Sequence, residues 1–367
     1  MIGQILFNDL SRQTRSVGNL LSAASQRVIS SGWYVLGSEL QAFERDFADY
    51  CQVDHAIGVA SGSDALELAL RTLDVPQGAG VITVANAGGY ATSAILAIGA
   101  HPLFVDVELD TQLLDVAALA ERLAAQPVAA VVVPHLYGRL ARIDEIVALC
   151  ARHQVALIED CAQAHGARRN GRLAGSFGTL GCFSFYPTKN LGALGDGGAL
   201  VTRDPTLAAR SRALRQYGWG DKYQVLRPHG RNSRLDEIQA AFLRAKLPCL
   251  DSWNRRRRAI ADRYRAGFQH PRLRCPPPGG EADAVHLFVV RCEDRDGLRA
   301  HLHRQGIGSA VHYPVPDHRQ PGWQAACADV GPLPVTEQLA TEILSLPCYP
   351  ELDDREVQAV IDAVNGW

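Results

Sequence analysis

Through the middle of the chain, short apolar runs alternate with segments whose apolar residues recur at helical spacing. Residues 81–84, 103–107, 129–134, 155–158, 181–185 and 198–202 show almost no polar alternation, the pattern of strands buried on both faces. Between them, residues 113–125 and 144–153 carry apolar positions at the helix period. Strands alternating with helices predict an α/β fold, a mostly parallel central sheet covered by helices. The pattern changes after residue 250. From about Trp253 an arginine-rich helix leads to a break at Pro276-Pro277-Pro278, then a strand at 285–290, a helix at 296–305 and a second strand near Val311. This reads as a large α/β domain over 1–250 and a smaller α+β domain over 251–367.

Composition narrows the function classes. The 367 residues are 47% hydrophobic and 21% charged, and 37 basic residues nearly balance 39 acidic ones. A net charge of −2 gives no general attraction to nucleic acid or to a membrane surface. The run Arg255–Arg258 reads as part of a solvated or dimer-facing helix. Nine dispersed cysteines without a Cys-x-x-Cys spacing read as reduced thiols in the cytoplasm and not as a zinc site. His301 and His303 point to different sides of a helix and are no metal pair. Residues 1–10 lack the basic segment and apolar core of an export signal, and the apolar run at 94–98 is too short to span a bilayer.

The candidate chemistry begins with lysine. Only Lys189, Lys222 and Lys246 occur, and Lys189 stands in Phe183-Ser-Phe-Tyr-Pro-Thr-Lys-Asn190 before a glycine-dense run ending at Gly198. A lysine buried there would have its pKa lowered toward the free amine that condenses with a carbonyl; the competing reading is a side chain snorkelling from a strand-to-helix turn. Asp160 ends an apolar run, where ligands of open α/β sheets bind. A carboxylate there can keep a pyridine nitrogen protonated, or it can simply cap a helix. Gln163 could reach the same ligand. Ser61-Gly62-Ser63-Asp64 precedes a helical pattern, so its free N–H groups form either an anion site or an ordinary cap. Ser184 supplies a further hydroxyl.

With Gly62-Ser-Asp-Ala-Leu66, Glu159-Asp-Cys-Ala-Gln-Ala-His-Gly-Ala167 and the Lys189 segment in this order, the chain resembles the DegT/DnrJ/EryC1/StrS family of pyridoxal 5'-phosphate-dependent nucleotide-sugar aminotransferases. The resemblance runs from about Ser31 to the C-terminus. It implies the aspartate aminotransferase-type fold (fold type I), with Lys189 carrying the cofactor and moving the proton in the 1,3-shift. It pairs Asp160 with the pyridine nitrogen, brings Gln163 to the ring's 3-hydroxyl, and assigns Gly62, Ser63, Asp64 and Ser184 to the phosphate. Asn232 would arrive from a neighbouring subunit, implying a homodimer with shared active sites. The family's usual ring-covering aromatic falls on Gly88, leaving Tyr90 as the nearest candidate, to stack on the ring or to pack between helix and sheet.

Residues 217–223 and 311–321 are similar to segments of aminotransferases acting at C3 of dTDP-linked 3-keto-6-deoxyhexoses. The resemblance therefore implies a nucleotide-linked keto sugar and an amino-acid donor, glutamate, as substrates. Trp33, Tyr34, Lys222, His312, Tyr313 and His318 are the candidate sugar-nucleotide contacts. Rival readings are a C4 aminotransferase, one using a UDP-linked sugar, and a non-catalytic regulator that keeps the fold. Dehydratases of this fold carry histidine in place of the lysine, so Lys189 argues against that activity.

Overall fold

The computed structural model describes residues 4–327 and 330–367. Seven strands form the central sheet: β1 (His55–Val59), β2 (Gly80–Val84), β3 (His101–Val105), β4 (Ala130–Pro134), β5 (Ala156–Asp160), β6 (Leu180–Ser184) and β7 (Gly198–Thr202). Their spatial order is β1-β7-β6-β5-β4-β2-β3. The neighbours β2–β3, β2–β4, β4–β5 and β5–β6 run parallel, whereas β7 is antiparallel to both β6 and β1. The expected α/β class with a mostly parallel sheet is what forms.

Alternate residues of these strands feed two cores. Val131, Val133 and Leu157 join a cluster with Phe43, Phe47 and Phe183, while Ala130, Val132 and Ile158 join another with Leu66, Leu68 and Ile95. Side chains alternate across a strand, so apolar residues at consecutive positions mean that helices cover both faces. This accounts for the missing polar alternation.

A second sheet of two antiparallel strands, β8 (Phe288–Arg291) and β9 (Ile343–Leu346), builds a separate core with Tyr264 and Ile361. Ile5 joins that core from the other end of the chain, and Leu339 and Ile343 pack into the main one.

Some boundaries differ from expectation. β5 runs through Asp160, so both of its acids are strand residues. The strand expected from 285 begins at Phe288, because Val285 has φ +47° and donates its N–H to the Asp283 side chain. Near Val311 only an isolated bridge from Ala310 to Ser345 forms, and the partner of β8 comes instead from residues 343–346. Distant chain selects that pairing, which no local pattern signals.

One buried carboxylate fixes the entry to the helix Ser38–Cys51. Glu237, 2% exposed, accepts hydrogen bonds from the N–H groups of Gly37, Glu39 and Leu40 at 2.8–2.9 Å. These are donors that a helix start leaves without internal partners. Glu237→Ala should lower unfolding free energy by roughly 3 kcal/mol, measured by denaturant titration; an unchanged midpoint would refute the capping role.

Candidate active site

The site is built at the carboxyl end of β5. Successive strand residues face opposite ways, and the acids Glu159 and Asp160 divide accordingly. Glu159 is fully buried and accepts from the N–H groups of Gly175, Phe177 and Gly178 at 2.7–2.9 Å. Its fourth partner is His135 Nε2 at 2.9 Å. The Ala141 N–H donates to His135 Nδ1, so Nε2 carries the proton and donates to the carboxylate. His135, Glu159 and Cys161 also bring metal-ligating atom types within 4.8 Å of one another, but the imidazole and the carboxylate are already committed to protein partners.

Asp160 points into a cavity of about 650 Å³. It is 9% exposed and accepts a 3.0 Å bond from the Ala162 N–H. Burial pushes its pKa up, opposed by that N–H and by the positive charge of Lys189. Lys189 lies on the turn after β6, where its N–H bonds the Tyr186 carbonyl at 2.8 Å. Burial lowers its amine to about 8, against the pull of Asp160. Desolvation thus makes each charge harder to carry, and the two face the same cavity.

The helix Gly62–Thr72 begins on the cavity wall, its Ser61 cap accepting the Asp64 N–H at 3.1 Å. A Cβ on Gly62 would lie 2.6 Å from that of Ser184. Glycine is what lets the helix start approach the end of β6. Ser63 and Ser184 also line the wall, giving hydroxyls and free N–H groups suited to a phosphate. Gln163 accepts the Tyr137 N–H at 2.6 Å through Oε1 and donates to the Tyr313 hydroxyl at 3.2 Å through Nε2. Tyr137 in turn donates to the His312 carbonyl at 2.5 Å.

Gly88 has a structural explanation. Its φ is +81°, and a Cβ there would lie 2.7 Å from the ring of Tyr313. An aromatic from the far end of the chain therefore occupies the space beside it. Tyr90 meets Tyr313 edge-on at 6.2 Å, is 47% exposed, and lines the cavity with Asp160 and Lys189.

Other expected contacts lie elsewhere. The Asp64 side chain faces Arg231, and Asn232 forms a backbone bridge with Gln216; neither lines this cavity. Trp33 and Tyr34 are 62% and 58% exposed before the helix Ser38–Cys51, and Lys222 lies over the Tyr223 ring on an exposed loop. His318 is removed from the cavity within this chain: it is buried against Phe104 and bonded to Glu337 at 2.9 Å. The cause is the turn Asp317–Arg319, held back by the Asp317 N–H on the Ala85 carbonyl and by Thr92 on the Asp317 carboxylate. Conversely, Tyr186 and His286 line the cavity without being singled out in sequence; Tyr186 stands within the lysine motif, whereas nothing local marks His286. Arg257, expected within a solvated or dimer-facing run, is instead 3% exposed on the same wall, because its guanidinium turns inward to the His286 and Cys348 carbonyls.

Comparison with known proteins accords with this geometry. The profile of the DegT/DnrJ/EryC1/StrS aminotransferase family matches residues 17–365. The chain belongs to that family. A dTDP-3-amino-3,4,6-trideoxy-alpha-D-glucose transaminase of Streptomyces venezuelae is 45% identical over 366 residues, covering 99% of this chain and 96% of the relative. A dTDP-3-amino-3,6-dideoxy-alpha-D-galactopyranose transaminase of Aneurinibacillus thermoaerophilus is 42% identical, with 99% of each chain covered. The solved structure of S. venezuelae DesV in complex with a ketimine intermediate superposes with a TM-score of 0.95 at 44% identity, covering 100% of this chain and 99% of that one.

As a member of the DegT/DnrJ/EryC1/StrS family, the chain is a pyridoxal phosphate-dependent aminotransferase. Its donor set fits that cofactor: a buried carboxylate for a pyridinium N–H, a lysine with a lowered pKa for the carbonyl carbon, and a helix start that a side chain at Gly62 would block. Lys189→Ala should abolish transamination while leaving the far-ultraviolet dichroism unchanged; residual turnover above roughly a thousandth of wild type would exclude the lysine as nucleophile. Because the amine attacks only when unprotonated, cofactor uptake by the apoprotein should quicken as pH rises toward about 8 and level off above it. Stopped-flow absorbance on mixing with pyridoxal phosphate checks this.

Proposed function

We propose that this enzyme transfers an amino group from an amino acid, L-glutamate, to C3 of a dTDP-linked 3-keto-6-deoxyhexose, in two half-reactions of a ping-pong cycle. The observation that carries this reading is the convergence of Lys189, Asp160 and Gln163 on one cavity with His312 and Tyr313 on its wall. The C3 position is supported by the near-full-length similarity to transaminases of two dTDP-3-amino sugars. When bound, pyridoxal phosphate supplies the carbonyl that carries the amine and the electron sink that acidifies the adjacent carbon. In this reading Asp160 keeps the ring nitrogen protonated, Gln163 holds the ring's hydroxyl, and Ser63, Ser184 and the helix start at Gly62 bind phosphate. Lys189, displaced by the incoming amine, stays in the cavity to take a proton from one carbon and return it at the other.

The reading also includes a homodimer acting in the cytoplasm. Trp33, Tyr34, Tyr223, Val225 and Leu226 are each more than half exposed, and exposed apolar surface of this kind suits a covering partner. A second copy supplying Asn232 and Lys222 would bring them to a neighbour's cavity. All nine cysteines are unpaired, in keeping with a reducing compartment. No described helix is long and apolar enough to cross a membrane.

The deciding measurement is the cofactor's absorbance, first with glutamate and then with a panel of dTDP- and UDP-linked keto sugars, the aminated product being located by NMR. Conversion to the amine form by glutamate and return only with a dTDP-3-keto-6-deoxyhexose is expected; return with a 4-keto sugar alone would move the reaction to C4. Mixing Lys189→Ala with Asn232→Ala protein should raise activity above either variant, since one site of each mixed dimer then has both wild-type residues. No gain under subunit exchange would rule out shared sites.

A further inference from the structure

His286 is 7% exposed and lines the cavity with Lys189, Arg257 and His312. The protein has settled which of its ring nitrogens carries hydrogen, through a chain of amides that can be followed one atom at a time. The His165 carbonyl can only accept, so Asn254 turns Nδ2 toward it, at 2.7 Å, and leaves Oδ1 for Asn190. Asn190 Nδ2 donates to that oxygen at 2.8 Å and to the Ala284 carbonyl at 2.9 Å. Asn190 Oδ1 is therefore an acceptor, and its partner at 3.0 Å is His286 Nδ1. Nδ1 must carry the proton. Burial and the nearby charges of Lys189 and Arg257 hold the ring neutral, so Nε2 is a bare lone pair. Among the described residues, the His286 ring has no hydrogen-bond partner besides Asn190.

We infer that His286 Nε2 accepts a hydrogen bond from a hydroxyl of the hexose and so helps to choose and orient the keto sugar. The assignment rests on the function proposed above. The ligand class follows from the sign of the group. A lone pair repels the carboxylates of an amino-acid donor and the pyrophosphate oxygens of a nucleotide, none of which offers a hydrogen at neutral pH, and the donor's one hydrogen-bearing group, its amine, is committed to the cofactor's carbonyl. Sugar hydroxyls do offer one. Two carboxylates also line this cavity: Asp160, which the cofactor claims, and Asp196, which is exposed to solvent. His312 differs: its Nδ1 meets the Ser345 hydroxyl at 2.8 Å, a partner able to donate or accept, so its tautomer can adapt. His286 cannot adapt without breaking the amide chain. Asn190 is then a positioning residue that acts through the imidazole.

Two measurements test this. In 15N-histidine-labelled wild-type protein, the resonance that disappears in His286→Asn should show the Nδ1–H tautomer; Nε2–H would overturn the assignment. The two half-reactions are then followed separately by cofactor absorbance. His286→Asn keeps a donor near Asn190 but loses the acceptor, whereas His286→Gln places a carbonyl oxygen near the position of Nε2. His286→Asn should reduce kcat/KM for the keto sugar about tenfold, with the amino-acid half-reaction within twofold of wild type and His286→Gln largely restoring the sugar reaction. Equal losses in both half-reactions, equal losses in both variants, or an unaffected His286→Asn would each overturn it. A wild-type protein inert toward every keto sugar would instead refute the proposed function, and the two failures are thereby distinguishable.

Discussion

Two consecutive carboxylates at the end of β5 are taken out of water, and the site depends on how differently they are accommodated. A buried carboxylate is tolerated when its lone pairs are met by donors. Glu159 has three backbone N–H groups and an imidazole N–H, and its bonds to residues 175–178 anchor the loop that leads into β6. Asp160 has one backbone N–H and faces a cavity with Lys189. The first charge is satisfied internally and the second is left for a ligand. Strand alternation separates the roles, since neighbouring residues cannot face the same side.

Lys189 carries the complementary strain. Burial lowers its pKa while Asp160 raises it, and the balance is an amine that loses its proton near 8. Most of the setting is local, because the turn after β6 holds the lysine by its own backbone. What keeps water away is not local. Asn190, the next residue, is tied to Asn254 of the helix Leu250–Gly267 and to the carbonyl of Ala284. The helix Leu250–Gly267 thus closes on the lysine through a directional amide chain whose last member is an imidazole on the cavity wall.

The segment after β2 shows the same coupling through shape. Gly88 and Gly89 adopt φ of +81° and +84°, and a Cβ on either would strike an aromatic ring, Tyr313 or Trp323 respectively. Two small residues here accept two large ones from the C-terminal part of the chain. Gln163 links that arrangement to the cofactor side of the cavity, since one end of its amide holds the Tyr137 N–H and the other the Tyr313 hydroxyl. The mouth of the cavity and the group expected to meet the cofactor are therefore positioned together.

The sequence by itself determined the class of sheet, because burial on both faces removes polar alternation, and it marked the candidate chemistry, because Lys189, Asp160, Gln163 and Ser184 sit in contiguous motifs on β5, on β6 and at their ends. The parallel pairing of β5 with β6 brings those motifs to one crevice. Only the tertiary structure decided which strand pairs with β8, where His318 lies, and what stands beside Gly88. Each of these is settled by a contact between distant segments: Ile343–Leu346 on β8, Asp317 on Thr92 and Ala85, and the Tyr313 ring on a bare glycine. His286 belongs to the same class, since an imidazole acquires a fixed tautomer only when three other parts of the chain, at 165, 190 and 254, are folded around it. Local sequence specifies what a side chain can do, and the fold specifies which of its atoms remain free to do it.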